Sequence, residues 1–242
     1  MKISIKRFSP QNQDLNSFNT FETEEKNLLK SLIFIKENVD NSLTFRCGCK
    51  SGVCGSCSVR VNGVEKLACK TIIQDGDIIE PLRNREVVKD LVVNVSHETF
   101  LIKQTKSYIN RNSVKKINQE DIKKIDLQSN CILCNSCYSS CPVYEVNKEF
   151  IGPFALTRAL RYINDIKNNQ TNEILNSVQN NGIWNCTLCS ACTFVCPQNI
   201  DPKADILQLQ NISVQNGYEN PNLQNFNLSF NDDFGGFNPN GF

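Results

Sequence analysis

Patterns of hydrophobic and polar residues divide the chain into a first part with strand signals and a second part with helix signals. Residues 2–7 alternate between apolar and polar side chains, which predicts a strand. Residues 17–23 are predicted to pair with it across a turn at Pro10–Asp14. Leucine and isoleucine at helical spacing predict a helix over Glu25–Glu37. The first part is therefore expected to combine a sheet with a helix.

A hairpin is predicted directly after a loop rich in glycine and cysteine at Arg46–Cys57. Two short stretches with strand-forming residues, 58–61 and 64–68, flank the pair Asn62-Gly63, which favours a type I′ turn. A second turn at 75–77 leads into a further strand over Ile78–Leu82. The hairpin is expected to return the chain towards the cysteine loop.

Helical patterns begin after a polar and basic connector at about residues 100–120. A short amphipathic turn is predicted over Asp121–Leu127, a helix with proline at its first position over Pro153–Ile166, and another helix over Ala204–Ile212. The stretch from Gly217 to the end is rich in Asn, Gly and Phe and has no periodicity. It is expected to be either disordered, which is favoured in isolation, or an extended arm that docks on a partner through its phenylalanines.

The composition is that of an ordinary globular protein, with 40% hydrophobic and 21% charged residues among 242. This length allows two domains. The net charge of +1 gives no general attraction to nucleic acid, and no nucleic-acid partner is expected. No apolar run approaches the roughly 18–20 residues of a membrane span, and no signal peptide is predicted.

Thirteen cysteines in tight groups change this picture. Without a secretion signal, cysteines at C-x-x-C spacing favour metal centres over disulfides. Cys49-x4-Cys54-x2-Cys57, followed after eleven residues by Cys69, has the spacing of a plant-type ferredoxin and predicts a [2Fe–2S] cluster on these four residues. A zinc site is the alternative, although a loop so rich in glycine is unusual for one. Cys47 remains as a spare thiol.

Two further runs repeat one motif, C-x2-C-x2-C-x3-C-P, at Cys131–Cys141 and at Cys186–Cys196. In two-cluster bacterial ferredoxins the fourth cysteine of each run ligates the other cluster. Crossed ligation predicts one [4Fe–4S] cluster on Cys131, Cys134, Cys137 and Cys196. It predicts a second cluster on Cys141, Cys186, Cys189 and Cys192.

These sites predict an α+β chain in four segments. A β-grasp [2Fe–2S] ferredoxin-like domain is expected over residues 1–100, a linker over 101–120, an all-α two-cluster domain like bacterial ferredoxins over 121–215, and an Asn/Gly/Phe-rich tail over 216–242. No acid–base pair, nucleophile or substrate pocket is evident, so no catalytic residue is predicted. The isolated chain is not expected to perform substrate chemistry.

Over residues 1–215 the chain resembles the iron–sulfur subunits of succinate dehydrogenases and fumarate reductases. Besides the cysteine runs, the resemblance rests on Gly55-Ser56, Leu67–Thr71, Asp90–Val93, Gly152-Pro153 and Gly182–Trp184. It implies an oxidoreductase subunit that relays single electrons between an FAD-containing flavoprotein subunit and a membrane-side, quinone-binding anchor. It also implies a peripheral place on the inner (cytoplasmic) membrane, on the cytoplasmic side by default, with the periplasmic side left open through co-export.

Two departures from that family pattern affect the expected cofactors and partner. Most members have an aliphatic residue at the position of Cys189, which leaves a [3Fe–4S] cluster, whereas Cys189 here implies a second [4Fe–4S] cluster. The Trp and His that usually lie beside the quinone are absent from Pro142–Glu145 and from Thr187. Both departures resemble a non-classical branch whose membrane-side partner is a cysteine-rich protein like those of heterodisulfide reductases.

Three other functions are compatible with cysteine-rich metal centres. The chain could serve another flavoprotein oxidoreductase, one that is thiol- or heterodisulfide-linked. A nucleic-acid enzyme with structural clusters would need a basic face and stacking aromatic residues, which a net charge of +1 and a single Trp do not favour. A metal-storage or scaffold protein would hold clusters but pass no electrons to a flavoprotein. The direction of electron flow stays open.

Overall fold

A computed structural model describes residues 1–10, 17–109 and 115–222. The strands are β1 (Lys2–Arg7), β2 (Ser17–Glu22), β3 (Ser58–Val61), β4 (Val64–Leu67), β5 (Asp77–Glu80), β6 (Val87–Lys89) and β7 (Val92–Val93). The helices are α1 (Leu28–Asn38), α2 (Ser96–Gln104), α3 (Gln119–Lys123), α4 (Asp126–Ser129), α5 (Ser136–Ser139), α6 (Pro142–Val146), α7 (Pro153–Ile163), α8 (Thr171–Ser177), α9 (Ala191–Phe194) and α10 (Pro202–Gln215). Most of the predicted turn at Pro10–Asp14, part of the predicted linker and the tail from residue 223 lie outside the described residues.

Five strands of the first part form one sheet in the order β2-β1-β5-β3-β4. Strand β1 pairs antiparallel with β2 and parallel with β5, and β3 pairs antiparallel with β4 and β5. Alternate residues of β1, Ile3 and Ile5, are buried, as a sheet with one face on the core requires. The predicted strands and the hairpin around Asn62-Gly63 are confirmed, and β6 and β7 form a separate two-stranded sheet.

Helix α1 covers the buried face of this sheet. Its residues Leu28, Leu32 and Ile35 share one hydrophobic core with Ile3 and Ile79. The prediction that this helix begins at Glu25 was wrong by three residues. The Asn27 side chain accepts a hydrogen bond from the Lys30 backbone N–H at 3.2 Å, and this N-cap starts the helix at Leu28.

The second part of the chain packs its helices around another hydrophobic core. Helix α7 contacts α4, α5, α8 and α10, and it supplies Leu156 and Leu160, while α10 supplies Ile206 and Leu209. The helices predicted near α7 and α10 are confirmed with shifted ends. Helix α10 begins two residues before the predicted start because the Asp201 side chain accepts from the Ala204 backbone N–H at 3.0 Å.

The predicted polar connector after residue 100 needs correction at its start. Helix α2 runs to Gln104, and its Leu101 is fully buried in the core of the helical part. Phe100, Leu101 and Ile102 are consecutive apolar residues between polar stretches, which does not produce a recognisable helical period. The predicted short turn at 121–127 is two helices, α3 and α4, and Asn118 and Asp121 form a capping box at the start of α3.

Asp90 connects the end of strand β1 to the segment that precedes the cysteine loop. Its side chain is 2% exposed and accepts hydrogen bonds from Arg7 Nε at 2.9 Å and from the backbone N–H groups of Phe8 and Thr44 at 3.2 and 2.8 Å. Thr44 lies just before the loop that begins at residue 46. Asp90 therefore connects β1 and the approach to the loop.

Replacing Asp90 by alanine is expected to destabilise the protein by about 3–5 kcal/mol, because Arg7 Nε–H and two backbone N–H groups lose their acceptor, while the guanidinium keeps Asp40 as its second partner. The midpoint of thermal unfolding should fall by about 10 °C. Glu22→Ala is the control, since Glu22 and its partner Lys2 are 77% and 64% exposed, and it should change the midpoint little. Equal midpoints for the two variants would contradict this role of Asp90.

Candidate iron–sulfur centres

The first cysteine loop turns its backbone N–H groups towards its sulfurs. Cys49 Sγ accepts from the N–H groups of Ser51, Val53 and Cys54 at 3.4, 3.3 and 3.3 Å, and Cys54 Sγ accepts from the Cys49 N–H at 3.3 Å. Hydrogen bonds, the largest from Ser51 and a smaller one from Val53, lower the pKa of the Cys49 thiol to about 5. The loop therefore favours a thiolate, the form that binds metal.

The β3–β4 hairpin returns Cys69 to the base of this loop. The Ala68 N–H donates to the Cys57 carbonyl at 3.0 Å, and Asn27 Nδ2 donates to the Cys69 carbonyl at 3.0 Å. Burial, with smaller contributions from the neighbouring Cys69 and Cys54 thiols, raises the pKa of Cys57 to about 11. The structure thus brings the four predicted [2Fe–2S] ligands together.

Two separate cavities lie among the helices of the second part. One is lined by Cys131, Cys134, Cys137 and Cys196. The other is lined by Cys141, Cys186, Cys189 and Cys192. Within the described ranges no further cysteine lines either cavity. The fourth cysteine of each run therefore faces the three cysteines of the other run, as crossed ligation requires.

Matching backbone turns shape the two runs. Leu133 and Asn135 have φ angles of 52° and 67°, and the equivalent Leu188 and Ser190 have 53° and 68°. Residues other than glycine adopt this left-handed conformation at a cost of roughly 1–3 kcal/mol, and such residues concentrate at functional sites. The repeated sequence motif is therefore also a repeated loop geometry.

Burial keeps most of these thiols protonated while no cation is near. It raises the pKa of Cys131 to about 11 and of Cys192 to about 12, and it raises that of Cys137 well above its usual range. Only a positively charged centre in each cavity would stabilise four thiolates there, with release of their protons.

In the described part of the chain no three His, Cys, Asp or Glu side chains can hold a single metal ion. The sulfurs line cavities, which suits clusters of several irons.

Gly55 brings the first loop against the Cys131 run. Its φ is +69°, and an added Cβ would lie 2.8 Å from both Cys134 Cβ and the Ile132 carbonyl oxygen. A larger residue would push the two loops apart. Gln198, near the end of the second run, also donates to the Gly52 carbonyl at 3.1 Å. The [2Fe–2S] loop and the Cys131 cavity are therefore in direct contact.

Sequence reasoning missed the segment that supports the chain between Cys137 and Cys141. The Arg83 N–H donates to Ser139 Oγ at 2.8 Å, and Asn84 Nδ2 donates to the Ser139 carbonyl at 3.1 Å. The only local signal is Asn84 itself, an asparagine with a φ of 64° in a polar turn. Cys47 is exposed and lines neither cavity.

Comparisons with known proteins agree with this arrangement. Residues 2–100 match the model of a 2Fe-2S iron-sulfur cluster binding domain, and residues 128–200 match that of a 4Fe-4S dicluster domain. The chain is 36% identical over 221 residues to the fumarate reductase iron-sulfur subunit of Escherichia coli O6:H1, covering 86% of this chain and 91% of that one. The 8-methylmenaquinol:fumarate reductase iron-sulfur subunit of Wolinella succinogenes is 32% identical over 235 residues, with 90% and 74% covered.

A solved structure supports the fold. The Mycobacterium smegmatis Sdh1 complex in the apo form contains a chain that matches with a TM-score of 0.79 at 23% identity. The match covers 90% of this chain and 97% of that one. The predicted order, a [2Fe–2S] domain followed by a two-cluster domain, is confirmed by the two domain matches.

Proposed function

Since this chain belongs to the family of iron–sulfur subunits of fumarate reductases and succinate dehydrogenases, we propose that it relays single electrons between an FAD-containing flavoprotein subunit and a membrane-side partner. The observation that carries this proposal is the pair of cavities, each lined by four cysteines from both runs. Iron–sulfur clusters supply one-electron carriers whose potentials depend on hydrogen bonds and burial. The residues that would hold and insulate them are those described above.

Twelve cysteines are proposed as ligands in three sets. The [2Fe–2S] cluster is assigned to Cys49, Cys54, Cys57 and Cys69. A [4Fe–4S] cluster is assigned to Cys131, Cys134, Cys137 and Cys196. A second [4Fe–4S] cluster is assigned to Cys141, Cys186, Cys189 and Cys192, because the Cys189 side chain faces the same cavity as the other three.

The described contacts support a continuous route through the chain. The close approach of Gly55 to Cys134 places the first loop against the first cavity. Helix α5 then carries Cys137 of the first cavity, and Cys141 of the second cavity follows two residues after its end. The protein's part is to hold these centres close together and to exclude water, since Cys137, Cys141 and Cys192 are buried.

The second cavity is proposed to face the membrane-side partner. Cys189 is exposed, and Val146, in the helix after Cys141, is 86% exposed. A cysteine-rich, heterodisulfide-reductase-like partner fits the proposed second [4Fe–4S] cluster better than an ordinary quinone-binding anchor. None of the helices described has the length and apolar character needed to cross a membrane. A peripheral position on the inner membrane, on the cytoplasmic side by default, is part of this proposal.

Electron transfer is tested with the purified partners. The full chain, purified anaerobically, is reduced with dithionite and freed of excess reductant, then mixed with the flavoprotein subunit of the same complex. Adding fumarate is expected to reoxidise the chain, seen as recovery of its visible absorbance, and to form succinate. The chain without flavoprotein should stay reduced, since it has no predicted catalytic residue.

Two controls make this result specific. The flavoprotein alone, without the reduced chain, should form no succinate. A reduced chain that carries its full iron but is not reoxidised by flavoprotein and fumarate would contradict the proposed relay. It would favour the alternatives of a storage protein or of a subunit that serves a different flavoprotein.

A further inference from the structure

A buried ion pair contacts residues next to both helical cavities. Arg85 Nη1 is 2.8 Å from Glu98 Oε1, and the two side chains are 1% and 2% exposed. Arg85 precedes β6, and Glu98 lies in α2, so the pair joins the first part of the chain to the helical core. Burying two charges rarely adds stability over an apolar pair of similar size. We therefore infer that this ion pair has a role other than stabilising the fold.

The guanidinium of Arg85 reaches the loop that lines the first cavity. Its Nη2 donates to Asn135 Oδ1 at 2.9 Å and to the Asn135 carbonyl at 3.5 Å. Asn135 lies between Cys134 and Cys137 and lines the same cavity as they do. The positive end of the ion pair is thus directed at the proposed [4Fe–4S] site of the Cys131 run.

The carboxylate of Glu98 contacts helix α6, which directly follows Cys141 of the second cavity. Its Oε1 accepts from the Tyr144 hydroxyl at 3.0 Å, and the Tyr144 backbone N–H donates to Cys141 Sγ at 3.4 Å. The guanidinium also lies 5.7 Å and 6.0 Å from the ring centres of Tyr138 and Tyr144. The pair therefore contacts a loop of the first candidate centre and the helix next to Cys141 of the second, and two aromatic rings lie close to its guanidinium.

We propose that Arg85 and Glu98 set the reduction potentials of the two proposed cubane clusters, with Arg85 raising them and Glu98 lowering them. Reduction adds one negative charge to a cluster, so a nearby cation favours the reduced state and a nearby anion opposes it. Both effects are strong where water is excluded. Through Asn135, Arg85 acts mainly on the Cys131 site. The inference rests on the proposed function, since it requires that the cysteines hold clusters.

Lys148 is another cation near this pair. Its Nζ lies 4.6 Å from the Tyr144 ring centre and donates to the Asn84 carbonyl at 3.1 Å. Burial lowers the pKa of Lys148, and the nearby charge of Arg85 lowers it further. The hydrogen bond of the Lys148 amino group to Asn84 is exposed to solvent, whereas the side chains of Arg85 and Glu98 are buried. The buried charges of Arg85 and Glu98 are therefore expected to dominate.

The test is a redox titration of the anaerobic full chain, followed by low-temperature EPR. Arg85→Gln is expected to lower the potential of the Cys131 cluster, with about a tenfold fall in the ratio of reduced to oxidised cluster at a fixed potential, or about 59 mV for one electron. Glu98→Gln should move the cubane potentials in the opposite direction. The [2Fe–2S] signal serves as an internal reference and should not move.

Opposite shifts distinguish charge from simple disruption. Arg7→Gln is the matched control, because it breaks the Arg7–Asp90 ion pair, whose side chains are 13% and 2% exposed. It should lower stability without moving the cubane potentials. Shifts of the same sign in Arg85→Gln and Glu98→Gln, or none in fully loaded variants, would overturn the proposal.

A conservative variant covers the case in which Arg85→Gln loses iron. Arg85→Lys keeps the charge and loses the two-pronged contact with Asn135. The potential of its Cys131 cluster should therefore lie closer to that of wild type than the potential in Arg85→Gln does. If Arg85→Gln holds no cluster, the ratio of reduced to oxidised cluster in Arg85→Lys should lie within a few-fold of the wild-type ratio at the same potential. If Arg85→Lys loads fully but shifts tenfold, or fails to load, charge is not what Arg85 supplies and the proposal fails. A wild-type chain without cubane signals would instead refute the proposed function.

Discussion

Replacing Cys189 by valine is expected to leave three irons in the second cavity and to produce a [3Fe–4S] signal in the oxidised protein. Cys189 is the one cysteine of that cavity that is exposed, and the others are buried or half-buried. The three remaining cysteines should still hold a cluster after one corner has lost its thiolate. Iron content should fall from about ten to about nine per chain, and the oxidised EPR signal should appear where wild type has none.

Cys47→Ala is the matched control for this experiment. Cys47 is also an exposed cysteine, but it lies outside both cavities and outside the predicted [2Fe–2S] set. Its iron content and spectra should equal those of wild type. If strictly anaerobic wild-type protein already shows a strong [3Fe–4S] signal, then Cys189 is not a ligand, and the second [4Fe–4S] assignment must be abandoned for the ordinary family pattern.

Alanine at Cys196 is expected to abolish the [4Fe–4S] form of the cluster of the first run, and alanine at Cys141 that of the second run, with loss of at least one iron in each case. The reason is geometric, since Cys196 lines the cavity with Cys131 and Cys141 lines the cavity with Cys186. The loss of up to four irons per chain should accompany the loss of one reduced [4Fe–4S] spectrum in each variant. The spin interaction between the two cubane clusters should also disappear.

A second alanine substitution in each run shows which cluster each variant has lost. Cys131→Ala should give the same residual EPR spectrum as Cys196→Ala, and Cys186→Ala the same as Cys141→Ala. If Cys196→Ala instead matched Cys186→Ala, ligation would be uncrossed and the structure's cavities would not correspond to the clusters. The [2Fe–2S] signal should persist in all four variants because its ligands lie in another loop.

Much of the local structure could be predicted from sequence because short-range signals govern it. Asn62-Gly63 marked the hairpin that brings Cys69 back to the loop, and Pro153 marked the start of α7. The predicted family and electron-transfer role are confirmed by relatives at 32–36% identity. The domain boundaries and the individual ligands remain predictions.

Other elements were missed because tertiary contacts decide them. Helix α8 and the short helices α5, α6 and α9 carry too few apolar residues for a helical period to stand out. Helix α2 was not predicted, since it contains Glu98, a charged residue that patterns assign to the surface. Glu98 is buried because Arg85, thirteen residues earlier in the chain, folds back to neutralise it.

The sequence by itself determined the three groups of cysteines, because ligand spacing within a loop is a local property. It also implied crossed ligation, because the motif is repeated and its chemistry demands four thiolates for each cluster. Only the tertiary structure decided that Gly55 lies against Cys134 and that the Arg85–Glu98 pair contacts both Asn135 and Tyr144. These contacts join residues far apart in the chain, and close packing of the two parts, rather than any local preference, brings them together.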